Sequence, residues 1–128
     1  SPRNKNQDNH LRFMSPKIDS ALAHAQFKLD GYVVMAMDSS VNHAFNFTEG
    51  VSLVVECDDQ DEIDHFWNAL TTGGEESMCG WLKDKYGVSW QIVPSILETL
   101  MRDPERAPRV MQAFLKMKKF DIAKLMEA

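Results

Sequence analysis

Cysteine is scarce in this chain of 128 residues: there are two, Cys57 and Cys79, and they form no Cys-x-x-Cys pair. Two thiols cannot staple a fold, and their spacing offers no structural zinc site, so both are expected to be reduced. Also missing is any apolar run of about 18 residues, the length that a membrane-crossing helix requires. The first eleven residues are polar, which excludes the apolar heart of a secretory signal. These absences make the cytoplasm the expected compartment, with no membrane partner. No glycine-rich turn joins a strand to a helix, as a nucleoside-cofactor unit requires, and no cofactor is expected. His24, His43 and His65 are scattered over a strand, a loop and a helix, with no Ser or Asp at the spacing of a catalytic triad.

The net charge is -5 and is unevenly spread, with +2 over residues 1–20, -9 over 21–94 and +2 over 95–128. An acidic centre repels phosphate backbones, so nucleic acid is not an expected partner. A hydrophobic content of 44% in a chain of this length supports one core.

Residues 1–21 have no apolar period and read as a loop or disordered leader. From Leu22 the pattern alternates: Ala23, Ala25, Phe27 and Leu29 are interleaved with His24, Gln26 and Lys28, as a half-buried strand requires. Asp30-Gly31 then predicts a two-residue hairpin turn into a strand over 32–37. The β-branched run at 51–57 predicts an interior strand. Asp59, with Glu62 three residues on, predicts a helix N-terminus, and Ile63, Phe66, Trp67 and Leu70 give that helix one apolar face that ends before Gly73-Gly74. Strands are predicted over 78–84 and 87–93, with Asp84 and Gly87 as turn residues and Pro94 as the stop. Helices follow over 95–102 and 105–118, the second capped by Asp103-Pro104, and a last one starts at Asp121.

The stretch Cys79-Gly80-Trp81-Leu82-Lys83-Asp84-Lys85-Tyr86-Gly87-Val88-Ser89-Trp90-Gln91-Ile92-Val93-Pro94 resembles the signature of PhnB-like, demethylubiquinone methyltransferase-like proteins of the glyoxalase/bleomycin-resistance (vicinal oxygen chelate) superfamily. Val51-Ser52-Leu53, Cys57-Asp58-Asp59, Arg109-Val110-Met111-Gln112-Ala113 and Met117-Lys118-Lys119 extend the likeness. The resemblance implies an α+β fold of paired βαβββ modules around a small-molecule cavity. Residues 22–38 match the end of a first module and 51–94 a full second one, so 22–94 is expected as the glyoxalase-like domain and 95–128 as a helical extension. The opening strand, helix and strand of the first module have no counterpart in the pattern before Leu22. An unpaired sheet edge left there predicts a homodimer.

The superfamily's metal ligands, implied by the same resemblance, are His and carboxylates on the outer strands of each module. Here the strand at 51–57 has no His, Gln91 stands where an acid is common, and the strand at 32–37 offers Met and aliphatic side chains. An amide is a weaker donor than a carboxylate, so no metal is expected. The acidic group Asp58, Asp59, Asp61, Glu62 and Asp64 lacks the Gly and closing Glu of a calcium loop and reads as a solvated first helical turn. Cys79 has no neighbour placed to lower its pKa and reads as a small buried hydrophobe. Strand alternation puts Ser89 and Gln91 opposite Trp90 and Ile92. If the latter pair packs on the helix, Gln91 faces the concavity, where its partner is either a ligand or a hydrogen bond across the sheet.

The sequence therefore predicts a protein that binds a small-molecule ligand, with Phe47, Ser52, Cys79, Trp81 and Gln91 as candidate ligand-binding residues. Two rivals stay open. One is a metal-dependent lyase, isomerase or dioxygenase, and the other is a non-catalytic dimerising module held by Met111, Phe114, Leu115 and Met117.

Overall fold

The computed structural model describes residues 24–39 and 41–128, in two units, Ser1–Ala44 and Phe45–Ala128. The expected leader at 1–21, and the start of the strand expected from Leu22, lie outside the described residues.

In the first unit, β1 (Ala25–Leu29) and β2 (Tyr32–Ala36) pair antiparallel, from Ala25 opposite Ala36 to Leu29 opposite Tyr32. Asp30 and Gly31 have φ of 49° and 85°, the two positive values that a type I′ hairpin turn demands. Ala25 and Phe27 are buried while Gln26 and Lys28 are exposed, so the alternation does mark one covered face.

The second unit contains β3 (Ser52–Cys57), α1 (Gln60–Thr71), β4 (Glu75–Glu76), β5 (Trp81–Lys83) and β6 (Ser89–Pro94), followed by α2 (Ile96–Arg102), α3 (Ala107–Phe114) and α4 (Ile122–Glu127). Its sheet order is β3-β6-β5-β4, with β3 parallel to β6 and the other pairs antiparallel. This is a βαβββ module. Asp59 caps α1 by accepting from Glu62 N at 2.9 Å, and Glu62 reaches back to Asp58 N at 3.3 Å, a reciprocal capping arrangement. Ile63, Phe66, Trp67 and Leu70 are buried on the face that packs against β6, β5 and β3. Leu82, Trp90 and Ile92 are buried on the strands below. Each such side chain contributes roughly 1.5–3 kcal/mol by leaving water.

Both strands of the β5–β6 hairpin are displaced from the expected ranges, 78–84 and 87–93. Cys79 and Gly80 have φ of 58° and 81°, which no β ladder accommodates, so β5 starts only at Trp81. Their amides donate instead to the carbonyls of Met117 and Lys118, each at 2.8 Å. At the other end Asp84 leaves the strand to form an Asx-type turn. Its Oδ1 accepts from Tyr86 N at 2.9 Å and Val88 N at 3.0 Å, and its Oδ2 accepts from Trp90 Nε1 at 2.9 Å. The two-residue β4 has no apolar alternation to announce it.

Helix α3 also differs from expectation, ending at Phe114 rather than at 118, because the chain then bends so that Met117 and Lys118 can take the Cys79 and Gly80 amides. The helix also starts later than expected, at Ala107 with Arg106 as its N-cap; Asp103 is not the cap but holds the turn before the helix, accepting from Glu105 N at 3.0 Å, while Asp121 caps α4 through Lys124 N at 3.2 Å. Val110 is buried, and the Phe114 ring lies 5.8 Å from that of Phe120, so part of the α3 stripe belongs to the chain's own core. Gln60 straps the C-terminal segment to α1: its Oε1 accepts from Ile122 N at 2.9 Å, and its Nε2 donates to Phe120 O at 3.0 Å. The strap presses Phe120 onto Gly80, where an added Cβ would stand 2.5 Å from the ring and 2.7 Å from Ile92 O.

Two stability measurements follow from these contacts. Asp84→Ala orphans the buried Trp90 indole N–H and two turn amides, and is expected to cost roughly 2–4 kcal/mol in urea unfolding; a loss below about 0.5 kcal/mol would contradict the clasp. Gly80→Ala adds an unfavourable φ to a steric overlap and is expected to cost more than about 2 kcal/mol. Part of that loss should return in a Phe120→Leu background, which opens space beside the ring but leaves the Ile92 carbonyl in place.

Candidate functional site

Because a strand alternates its side chains, burial of Leu82, Trp90 and Ile92 under α1 turns their neighbours to the opposite, uncovered face. The registers line these up in cross-strand rows. Glu75 of β4 is opposite Lys83 of β5, Lys83 is opposite Ser89 of β6, and Ser89 is opposite Ser52 of β3. In the next row Trp81 is opposite Gln91, and Gln91 is opposite Val54. Between the rows Gln91 Nε2 donates to Ser52 Oγ at 2.9 Å.

Glu49, just before β3, reaches Lys83, with Oε1 2.5 Å from Nζ. That hydrogen bond is the chief reason the Glu49 carboxyl lies below its ordinary range, with the Lys83 charge adding to it. The same bond, first, and the Glu49 charge, second, hold the Lys83 ammonium above the ordinary lysine value, and Glu75 adds a smaller push in the same direction. A depression of about 290 Å³ opens over this row, lined by Glu49, Glu75, Trp81, Lys83 and Ser89 among others. Ser89 is 1% exposed, and its hydroxyl has no hydrogen-bond partner among the described residues.

Of the five expected site residues, the structure brings three together. Ser52, Trp81 and Gln91 share the uncovered face. Cys79 sits in the left-handed turn before β5, half-buried, with its amide engaged by Met117. Phe47 lies in the segment before β3 and is 62% exposed, its amide donating to Asn46 Oδ1 at 2.8 Å. Of the five, Trp81 lines the depression; Ser52 and Gln91 lie beside it on the same face, and Cys79 and Phe47 do not line it. Sequence reasoning did not place Glu49, Glu75 and Lys83 at a site. Lys83 had a legible signal, since the Asp84 turn sets it opposite Ser89, whereas Glu49 lies in no periodic element.

Gln91, at the position where the resemblance leads one to expect an acid, spends an N–H on Ser52, and among the described residues no three His, Cys, Asp or Glu side chains converge as metal ligands.

The family model for 3-demethylubiquinone-9 3-methyltransferase matches residues 5–93, more than half of the chain. The chain belongs to this PhnB-like family. Among solved structures it is similar to a PhnB protein from Bacillus cereus, described as a candidate 3-demethylubiquinone-9 3-methyltransferase, with 39% identity over 64% of this chain and 71% of that one and a TM-score of 0.57. It also shares its fold with the protein PA1353 from Pseudomonas aeruginosa, at 23% identity over 65% and 72% of the two chains and a TM-score of 0.51. No curated protein matches. The glyoxalase-like α+β fold that the resemblance implied thus holds for this member of the PhnB-like family.

A pH titration tests the Glu49–Lys83 pair. With its folded value depressed, Glu49 contributes stability that is fully present above the ordinary glutamate range and is lost as pH falls through the depressed value. Followed by NMR, the Glu49 carboxyl is expected to titrate below the exposed glutamates of the chain and to rejoin them in Lys83→Met. An unchanged titration in that variant would remove the pair from the site.

Proposed function

We propose that this PhnB-like chain binds a small organic molecule on the uncovered face of the β3-β6-β5-β4 sheet, without a bound metal, and works as a homodimer. The observation that carries the reading is a depression of about 290 Å³ lined by Glu75, Lys83, Ser89 and Trp81, with Ser52 and Gln91 next to them in the cross-strand register. A small-molecule site typically pairs an apolar wall with a few convergent polar groups, and Trp81 supplies the wall. The metal-free part rests on Gln91, an amide and a weaker donor than a carboxylate, standing where the resemblance leads one to expect an acid, and on no three His, Cys, Asp or Glu side chains converging as ligands among the described residues. Methyl transfer, which the family name carries, is left out of the proposal, because the strand-to-helix passage here is Asp58-Asp59, two carboxylates rather than a glycine-rich turn.

Dimerisation is supported by the sheet edges. Strand β3 is at the end of its sheet, Val54 on it and Val51 just before it are 60% and 79% exposed, and Tyr32 and Met35 of β2 are 78% and 66% exposed. Apolar edge strands of this kind invite pairing with another chain. No described helix is long and apolar enough to cross a membrane, so that apolar surface is not part of a membrane-crossing helix.

A fragment screen with backbone and indole NMR shifts is the direct test. Hits are expected to move Trp81, Lys83, Ser89 and Gln91 together, and hits that cluster elsewhere would count against the site. Sedimentation should give twice the chain mass, and elemental analysis should find no stoichiometric metal. A monomer would end the dimer part, and bound zinc, nickel, iron or manganese would restore the metal-dependent lyase, isomerase or dioxygenase reading.

A further inference from the structure

The depression is lopsided in charge. Its lining holds three carboxylates, Glu49, Glu75 and Glu76, against the single ammonium of Lys83. These carboxylates are committed to different degrees. Glu76 is opposite Leu82, on the side of the sheet that faces α1, and its Oε1 accepts from Trp67 Nε1 at 2.7 Å. Glu49 is engaged by Lys83 at 2.5 Å. Glu75, exposed and opposite Lys83, enters no such direct pair and touches the ammonium only through its longer-range field. With Lys83 already neutralised by Glu49, the field over the row remains negative, so an anionic ligand would have to displace Glu49 and face the Glu75 carboxylate.

An independent observation comes from Ser89. Its side chain is on the face shared with Lys83, it lines the depression, and it is 1% exposed with an unsatisfied hydroxyl. A buried hydroxyl without a partner costs free energy, and a hydroxyl both donates and accepts. Beside it in the lining is Trp81, half-buried, offering an aromatic face.

Resting on the reading above, that this face holds a small ligand, we infer that the ligand is a compact amine cation with a flat apolar body. Its ammonium is held by the Glu75 carboxylate and Ser89 Oγ, above the row in which the Glu49-paired Lys83 stands between them, and its body lies on Trp81. Charge-assisted hydrogen bonds to a carboxylate are stronger than neutral ones, and the cation meets an aromatic face that attracts it. Ser89 then gains the partner that no described residue provides.

Three isosteric probes separate the possibilities: benzylamine, benzyl alcohol and benzoate, titrated into the full chain and followed by the Trp81 indole and the Lys83 and Ser89 amide shifts. Benzylamine is expected to bind, benzyl alcohol about tenfold more weakly and benzoate more weakly still, one charge-assisted contact being worth about that factor. Glu75→Gln, an exposed position on a two-residue strand, should weaken benzylamine by about tenfold and leave benzyl alcohol unchanged. Glu98→Gln on α2, remote in sequence and absent from the lining, should change nothing and so exposes binding to the general negative charge. Ser89→Ala, which removes an unsatisfied hydroxyl, should fold at least as stably as the native chain and still bind benzylamine more weakly. If benzoate binds as well as benzylamine, or Glu75→Gln has no effect, the amine assignment is overturned while the binding face stands. If none of the three probes moves the Trp81 and Ser89 signals, the binding face itself fails.

Discussion

Burial of Trp90 and Ile92 against Ile63, Phe66, Trp67 and Leu70 of α1 orients the whole second unit. A strand has a side-chain period of two, so committing these residues to the helix commits Ser89 and Gln91 to the other side. The neighbours inherit the choice through register. Leu82 goes under the helix with Trp90, which leaves Trp81 and Lys83 with Gln91 and Ser89. Parallel pairing with β3 adds Ser52 and Val54. A slip of one residue anywhere in β6 would bury the serine and the amide beneath the helix and put the tryptophan in water, a reversal that the apolar term alone opposes by several kcal/mol. The polar face is thus a by-product of the core.

Hydrogen bonds fix what the apolar contacts only favour. Asp84 holds the turn and the Trp90 indole with one carboxylate, so the register of β5 on β6 and the depth of Trp90 are set by the same group. At the start of β5, the close approach of Phe120 to Gly80 and the two amide bonds to residues 117 and 118 lock the strand's first residue. Gln60 holds the other end of that C-terminal segment on α1. The extension at 95–128 is therefore more than an appendage, since residues 117–122 brace both the helix and the strand that carries Trp81 and Lys83.

Much of this was legible in the letters. The tight turn at Asp30-Gly31, the α1 face and its cap, the start of α4 at Asp121 and the orientation of Gln91 all follow from period and local chemistry, which act over a few residues. What was not legible depends on distant partners. Nothing near Cys79 says that its amide belongs to Met117, so the strand was expected to begin too early. The same contact, seen from the other side, ends α3 at Phe114. Glu49 finds Lys83 across 34 positions of sequence, and β4 consists of two glutamates that become a strand only because β5 lies beside them. The open choice at Gln91, ligand or structural bond, is resolved in part: its nitrogen is spent on Ser52.

Polar groups in this unit differ in how fully they are satisfied, and that difference separates scaffold from site. Asp84 is buried and accepts three donors from the chain's own turn and core. Gln60 uses both ends of its amide on the C-terminal strap. Glu76 is taken by the Trp67 indole on the helix side, yet its neighbour Glu75, one residue away and on the opposite face, has no such partner, a contrast that alternation alone produces. Ser89 is the extreme case, buried and without a partner, in a row whose lysine is already neutralised by Glu49. A fold has no stability reason to retain an unsatisfied hydroxyl, because alanine in that place would cost nothing in packing and remove a desolvation penalty. The capacity left on Ser89 and Glu75 is what a ligand can use, and it lies beside the exposed part of Trp81.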